Sequence, residues 1–235
     1  MNGFEDDIDF YLRFLAGGRS VLELGCGSGR ITRALVKHGF RTVGIDISME
    51  MLGKSPKIDG VNQNYLCMDM TMPGLTTRFD AVIIGYNTLN LLTSPPLISK
   101  CLKETKQLLT PGGLCIFHLH TLSQELAESA GKKIFQFQIL ERDDGGRVIK
   151  ETLKQFDLEQ NHLVMEERFR VRPPAGSNHS KEDLSHHYRF ISLPSHHWLQ
   201  LIEESGLRVS HVHGGYRQQP FRPGQDATML VVAQN

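Results

Sequence analysis

Val21-Leu22-Glu23-Leu24-Gly25-Cys26-Gly27-Ser28-Gly29 is a short apolar run that ends in three glycines at alternate positions. Directly after it, Arg30 to His38 places Ile31, Ala34 and Leu35 at helical spacing. The reading is strand, tight glycine turn, helix. Glycine suits such a turn because the chain must bend sharply and let a ligand approach the backbone more closely than a Cβ would permit. A second apolar run, Thr42-Val43-Gly44-Ile45, is followed by Asp46, which stands 21 residues after Gly25 (46 minus 25). A carboxylate there can accept hydrogen bonds from both hydroxyls of a ribose, each charged bond contributing roughly 1.5 to 3 kcal/mol. The four features in register point to a nucleoside-containing ligand at the carboxyl ends of parallel strands. A nicotinamide fingerprint would need its third small residue at position 30, where this chain has Arg30. A nicotinamide-dependent oxidoreductase is therefore the less favoured alternative.

Working outward, short apolar runs alternate with helix-length amphipathic stretches from Ser20 to His120, the pattern of βα units around a parallel sheet. Strands are expected at Val21 to Leu24, Arg41 to Ile45, Asn64 to Cys67, Ala81 to Ile84 and Leu114 to Leu119. A helix is expected from Leu97 to Leu109, stopped by the Pro111-Gly112-Gly113 turn. Ahead of the first strand, Ile8, Tyr11, Leu12 and Leu15 make an apolar stripe that predicts a leading helix. After His120 the period changes to two: Phe135, Phe137 and Ile139 alternate with Gln136 and Gln138, and Asp143-Asp144-Gly145-Gly146 supplies a turn. Further extended stretches run Val148 to Leu158, Leu163 to Val171 and His186 to Ser192, with a loop from Pro173 to Ser185. The first style then returns, with Pro194 opening a helix to Glu204 and strands at Leu207 to His213 and Thr228 to Ala233. With no helix between them, these last two strands should pair antiparallel at the sheet edge.

These residues resemble the class I S-adenosylmethionine-dependent methyltransferases, whose first motif is an acid, one residue, then GxGxG. The resemblance extends to Asp46-Ile47-Ser48 with Met51-Leu52, to Asp69, to Phe79-Asp80-Ala81-Val82-Ile83-Ile84 with Tyr86-Asn87, and to Leu108-Leu109-Thr110-Pro111-Gly112-Gly113. Over about residues 8 to 120 and 188 to 234 it implies a Rossmann-like α/β fold, a doubly wound, mostly parallel sheet with an antiparallel last strand; the period-two runs add a small antiparallel β insertion after strand five. The implied domains are a cofactor-binding core, residues 1-121 and 188-235, and the insertion, residues 122-187, as acceptor lid or dimer interface. The implied cofactor is S-adenosyl-L-methionine. By the same resemblance Gly25 and Gly27 line its methionine part, Glu23 lies near its ammonium, Asp46 holds the ribose, Ile47 packs on the adenine, and Asp69 with Met70 reads the adenine's polar edge. Tyr11 sits on the leading helix, which the resemblance implies closes over the cofactor, and is counted with the cofactor-binding residues on that ground.

Methyl transfer from a sulfonium is a direct displacement, so the protein mainly holds donor and acceptor in line. A general base helps when the acceptor is a hydroxyl or protonated amine. His120 ends strand five at the catalytic edge and is the candidate base; His118, two residues earlier on the same face, reads as a hydrogen-bonded core residue. Tyr86 and Asn87 follow strand four, where the resemblance places the acceptor pocket. Arg217 and Arg222, in the loop between the last strands, suggest an anionic or polar acceptor.

Composition narrows the rest. The chain has 235 residues, 40% hydrophobic and 22% charged, with 26 basic side chains against 26 acidic. A zero net charge argues against a general nucleic-acid binder, so the expected partner is a small-molecule acceptor, with a homodimer as a further possibility. The acidic start, with Asp6, Asp7 and Asp9, does not read as a secretory signal, and no apolar run is long enough to span a membrane. Cys26, Cys67, Cys101 and Cys115 lack any CxxC spacing and read as reduced thiols of a cytoplasmic protein. No metal is expected, because the adjacent pairs His186-His187 and His196-His197 point apart and His211 and His213 have no carboxylate in ligand spacing. The sequence thus predicts a methyltransferase acting at nitrogen or oxygen of a small molecule. Because the reaction needs few obligatory residues, a non-catalytic cofactor-binding subunit is the other reading left open.

Overall fold

The computed structural model describes residues 6–15, 20–55, 64–174, 176 and 181–235, so the Pro173 to Ser185 loop lies partly outside the described residues. The chain divides into two compact units, Met1–Ser123 with Leu193–Asn235, and Gln124–Ser192.

In the first unit the parallel strands are β1 (Ser20–Leu24), β2 (Arg41–Asp46), β3 (Asn64–Cys67), β4 (Phe79–Ile84) and β5 (Leu109–His120). Two later strands, β10 (Arg208–His213) and β11 (Thr228–Gln234), complete a seven-stranded sheet in the order β10-β11-β5-β4-β1-β2-β3. β11 runs antiparallel to both β5 and β10, and every other neighbouring pair is parallel. The fold is therefore the doubly wound, mostly parallel sheet that the sequence predicts. Strands buried on both faces read as continuous apolar runs rather than alternating ones, and Val21, Leu22, Leu24, Val82, Ile83 and Ile84 all lack solvent exposure.

Helices cover the sheet: α1 (Asp6–Phe14), α2 (Arg30–Lys37), α3 (Met49–Gly53), α4 (Pro95–Gln107) and α6 (Ser195–Glu204). The leading stripe is not quite the one read from spacing. Phe10 and Tyr11 are fully buried with Ile8 and Leu15, while Leu12 is only half-buried, and Asp7 is buried as well. Asp7 tolerates burial because both its oxygens accept from the Arg30 guanidinium, at 3.0 and 2.5 Å.

Two boundaries differ from expectation. β5 starts at Leu109, so Pro111-Gly112-Gly113 lies inside a strand: Phe79 pairs with Leu109 but Ala81 pairs with Leu114, and the extra residues bulge around Gly112 at φ 77°. α4 consequently ends at Gln107 rather than Leu109. The short α3, α5 (Gln124–Glu128) and the 3-10 turn Thr88–Leu91 carried no apolar period long enough to be foreseen. Cys26, Cys101 and Cys115 are buried free thiols, but Cys67 is exposed, since β3 is the sheet's edge strand.

The second unit is a four-stranded antiparallel meander of β6 (Lys133–Glu141), β7 (Arg147–Asp157), β8 (His162–Arg172) and β9 (Glu182–Ile191). β9 starts four residues earlier than the sequence suggests, because its first half, rich in charge, shows no alternation to read. Phe156, Leu163, Phe190 and Ile191 are buried, and a second buried group is polar: Glu167 pairs with Lys150 at 2.6 Å. No helix among the described residues is long and apolar enough to cross a membrane.

Phe117, in the carboxyl-terminal half of β5, has no solvent exposure. Phe117→Ala is expected to lower unfolding free energy by about 3 to 5 kcal/mol in urea titration. A loss below about 1 kcal/mol would mean that this strand is not central to the core.

Candidate functional site

In an open parallel sheet, ligands bind outside the carboxyl ends of the strands where the strand order reverses. Here that point is β1, whose neighbours are β2 on one side and β4 on the other. At this end lies a cavity of about 300 Å³ lined by Gly25, Asp46, Ile47, Met68, Asp69, Met70, Thr71, Thr88, Leu91, Leu92 and Leu97. Larger hollows exist, about 460 Å³ at the amino ends of β1 to β4 and about 570 Å³ on the β6–β9 sheet. Neither collects the glycine turn and its acidic partner.

The turn after β1 is built by constraint. Gly25 and Cys26 both donate backbone N–H bonds to the Ile45 carbonyl, at 2.8 and 2.9 Å, which stitches the glycine loop to the end of β2. Gly25 has φ 73°, and a Cβ there would stand 2.1 Å from the Thr88 methyl. Glycine is thus required both by conformation and by space. Asp46 completes the stitch, because its Oδ2 accepts from Gly27 N–H and its Oδ1 from Ser48 N–H, each at 2.8 Å. A carboxylate has about four lone-pair positions, so two acceptor sites remain for a diol. Ile47, next in the chain, is 74% exposed. An apolar side chain left that open at a cavity wall is what a flat apolar ligand face would cover.

Asp69 is also on the lining, and its Oδ1 caps a turn through Thr71 N–H at 2.7 Å. It is therefore a turn residue and a cavity residue together. Met70 stands beside it on the wall. Of the eight candidate binding residues, Gly25, Asp46, Ile47, Asp69 and Met70 share this cavity; Glu23, Gly27 and Tyr11 do not line it. Glu23 is sealed beneath α2, where its Oε2 accepts from Thr32 N–H at 2.8 Å and from the Thr32 hydroxyl at 2.5 Å. Burial pushes its carboxyl up to about 7 against the opposing pull of the Thr32 bonds and Arg30.

A second cluster gathers around His118. Its Nδ1 shares a hydrogen bond with the Tyr216 hydroxyl at 2.5 Å, and its ring lies 5.9 Å from that of Tyr86. Tyr11 joins through Tyr216, with ring centroids 6.2 Å apart, and the Arg30 guanidinium stands 5.2 Å over Tyr86. Burial lowers the His118 imidazole to about 4, so it is neutral at ordinary pH, while burial raises Tyr11 and Tyr216 and keeps both hydroxyls protonated. Tyr86 and Asn87 sit in consecutive left-handed conformations, φ 52° and 58°, and Asn87 N–H donates to the His118 carbonyl at 3.1 Å. Two non-glycine residues held this way store strain of order 1 to 3 kcal/mol each, a feature concentrated at functional sites. The buried Asn87 Oδ1 has no hydrogen-bond partner among the described residues.

His120 is held differently. Buried Asn90 brackets its backbone, donating to the carbonyl at 2.8 Å and accepting from the N–H at 3.1 Å, and the Trp198 indole N–H donates to the same carbonyl at 3.2 Å. Arg217 and Arg222 do not stand ready for an anion: Arg217 pairs with Asp6 at 3.0 Å and Arg222 with Asp226 at 2.6 Å. Sequence reasoning missed Thr88, Asn90, Tyr216 and the Asp7–Arg30 pair. Only Asp7 carried a signal, because it lies one helical turn before Tyr11 and so on the buried face.

Residues 21–113 match the family model described as "Methyltransferase domain". The Bacillus subtilis protein YqeM is 33% identical over 111 residues, 46% of this chain and 44% of that protein. A ubiquinone biosynthesis O-methyltransferase of Coxiella burnetii is 32% identical over 106 residues, 43% of each. The matched stretch thus spans under half the length of these curated relatives. Among solved structures, an S-adenosylmethionine-dependent methyltransferase from Clostridium acetobutylicum superposes with TM-score 0.83 at 16% identity, covering 98% of this chain and 91% of that one. A sugar N-methyltransferase from Streptoalloteichus superposes with TM-score 0.79 at 17% identity, covering 100% and 88%.

Glu23 makes stability depend on pH in a stated direction. Its folded value of about 7 exceeds the ordinary 4.5, so the folded protein keeps a proton that the unfolded chain releases between these values. The contribution is full below about 4.5 and is lost as pH rises toward 7, on the order of 3 kcal/mol in all. Urea titrations at pH 5 and pH 7.5 should show the wild type losing more stability over that interval than Glu23→Gln. Parallel losses in the two proteins would place Glu23 in a more polar setting than the one described.

Proposed function

We propose that this chain, whose residues 21–113 match the methyltransferase-domain family model and whose fold is that of the class I S-adenosylmethionine-dependent methyltransferases, transfers a methyl group to nitrogen or oxygen of a small-molecule acceptor. The observation that carries the proposal is the convergence of Gly25, Asp46, Ile47, Asp69 and Met70 on one cavity at the reversal of strand order.

The residues present suit S-adenosyl-L-methionine. Asp46 keeps acceptor capacity for the ribose hydroxyls, exposed Ile47 offers an apolar face for adenine, and Asp69 with Met70 stands where the base's polar edge would be read. Once bound, the cofactor supplies a methyl group on a sulfonium that departs as a neutral thioether. The protein's own share is placement. The glycine turn faces the methionine part and Asp46 holds the ribose, while the strained Tyr86-Asn87 pair and His118 shape the acceptor side.

Proton removal from the acceptor is assigned to His120. His118 is a poor base at neutral pH, because its value of about 4 lies well below that and its Nδ1 is engaged with Tyr216. The O-methyltransferase among the relatives and the sugar N-methyltransferase among the structural neighbours leave the acceptor atom open between oxygen and nitrogen. The free thiols suit a reducing compartment, in keeping with a cytoplasmic enzyme.

Calorimetry with S-adenosylhomocysteine and, in parallel, a nicotinamide dinucleotide tests the cofactor. S-adenosylhomocysteine should bind and the dinucleotide should not; the reverse outcome refutes the proposal. Asp46→Ala should weaken S-adenosylhomocysteine binding by about tenfold or more while the unfolding transition persists, from the loss of roughly 1.5 kcal/mol or more in charged hydrogen bonds. With an acceptor found by screening metabolite pools for methyl uptake, His120→Ala should lower turnover by about 10²- to 10⁴-fold. An effect under about threefold would remove His120 from the chemistry.

A further inference from the structure

The two edges of the β6–β9 sheet are unlike each other. β9 carries Glu182 and Asp183 at its start and Arg189 near its end, with the polar pair His186 and His187 between them. Such an edge resists pairing with another chain. β6, Lys-Ile-Phe-Gln-Phe-Gln-Ile-Leu-Glu from Lys133 to Glu141, is exposed at every residue, with Phe135 60%, Phe137 65% and Ile139 52% exposed. It has no proline, no glycine and no break in its register with β7. None of the devices that blunt an edge strand is present, and its only charges are at its two ends.

The order of side chains along β6 is self-complementary. We infer that β6 is a homodimer interface, in which the strands of two copies pair antiparallel about a two-fold axis at Phe137 and join their sheets edge to edge. In that register Lys133 meets Glu141 of the second copy, Ile134 meets Leu140, Phe135 meets Ile139, Gln136 meets Gln138, and Phe137 meets itself. Lys133 and Glu141 have no ion pair within the chain among the described residues, so the charges are available to each other. Phe135, Phe137 and Ile139 share a face by the period of two, so the two copies together form one continuous apolar ladder with a charged pair closing each end.

The charges also select the register. With a slip of two residues in one direction Glu141 would oppose Phe135, and in the other Lys133 would oppose Ile139. Either slip breaks the Lys133–Glu141 match, sets one of the two charges against an apolar side chain and carries the other past the end of the facing strand. A C2 pairing needs such a self-matching patch, and a segment with one charge of each sign at opposite ends of an uncharged middle is the simplest strand that provides it. This inference does not depend on which reaction the first unit performs.

Sedimentation velocity on the full chain at tens of micromolar should give about 53 kDa, twice the 26.5 kDa chain. Phe137→Lys, which sets like charges against each other on the axis, should give the monomer. Lys133→Glu and Glu141→Lys should each weaken the dimer about tenfold or more, since each places like charges opposite at both ends. The decisive arm is rescue: the double variant Lys133→Glu with Glu141→Lys should dimerise again, and mixing the two single variants should yield a heterodimer. Misfolded variants would not recover on mixing. A monomeric wild type, or a dimer indifferent to Phe137→Lys and to charge reversal, overturns the inference.

Discussion

The carboxylate of Asp46 binds two backbone N–H groups, one from the glycine turn after β1 and one from the start of the segment after β2. That junction decides the geometry of everything around the cavity. Gly25 and Cys26 are already hydrogen-bonded to Ile45 O, so the end of β2 serves as the template on which the turn is shaped. Asp46 then fixes the turn's far side. Hydrogen bonds to a charged group contribute roughly 1.5 to 3 kcal/mol each, enough to hold a left-handed glycine path that an unconstrained loop would sample among many others. The residue that the ligand's diol would find is thus the one that already orders the loop beneath it.

Charge is placed around this junction by burial as much as by pairing. Asp7 is buried because Arg30 takes both its oxygens, which ties α1 to α2 at the entrance to the glycine turn. Glu23 has only Thr32 donors and a more distant Arg30, so burial dominates and its proton is held up to about pH 7. His118 obeys the same physics with opposite sign: burial favours its neutral form, and Tyr216 fixes the ring. Two buried carboxylates in one half of the chain are thus satisfied differently, Asp7 by a bidentate cation and Glu23 by a hydroxyl and a backbone N–H.

The order of the parallel strands and the glycine turn were legible because both rest on local rules. Apolar runs of strand length, a helix at period 3.6 and a turn that only glycine can make all leave marks within ten residues of one another. Asp46, Ile47, Asp69 and Met70 could be placed near the cavity because they follow strands whose carboxyl ends share one edge. Spacing gives the position of Glu23 along β1, next to the glycine turn, but not the Thr32 that α2 lays over it. The bulge at Gly112 was hidden for a similar reason. A proline and two glycines look like a turn locally, and only pairing with both Phe79 and Ala81 makes them part of a strand.

Asn90 and Tyr216 lay beyond sequence reasoning altogether. Asn90 sits in an apolar stretch and serves a backbone 30 residues away, and Tyr216 reaches His118 across 98 residues. No periodic pattern encodes a partner at such separation. The β6 strand shows the converse: its alternation and its opposite end charges are plain in the chain, yet whether it is an interior or an edge strand is a matter of sheet order. Local stereochemistry and hydrophobic period thus determine the elements, the glycine turn and the residues at strand ends. Which side chains meet, which charges lose water and which strand is left unpaired are decided only by packing, because those energies arise between segments that the chain itself keeps far apart.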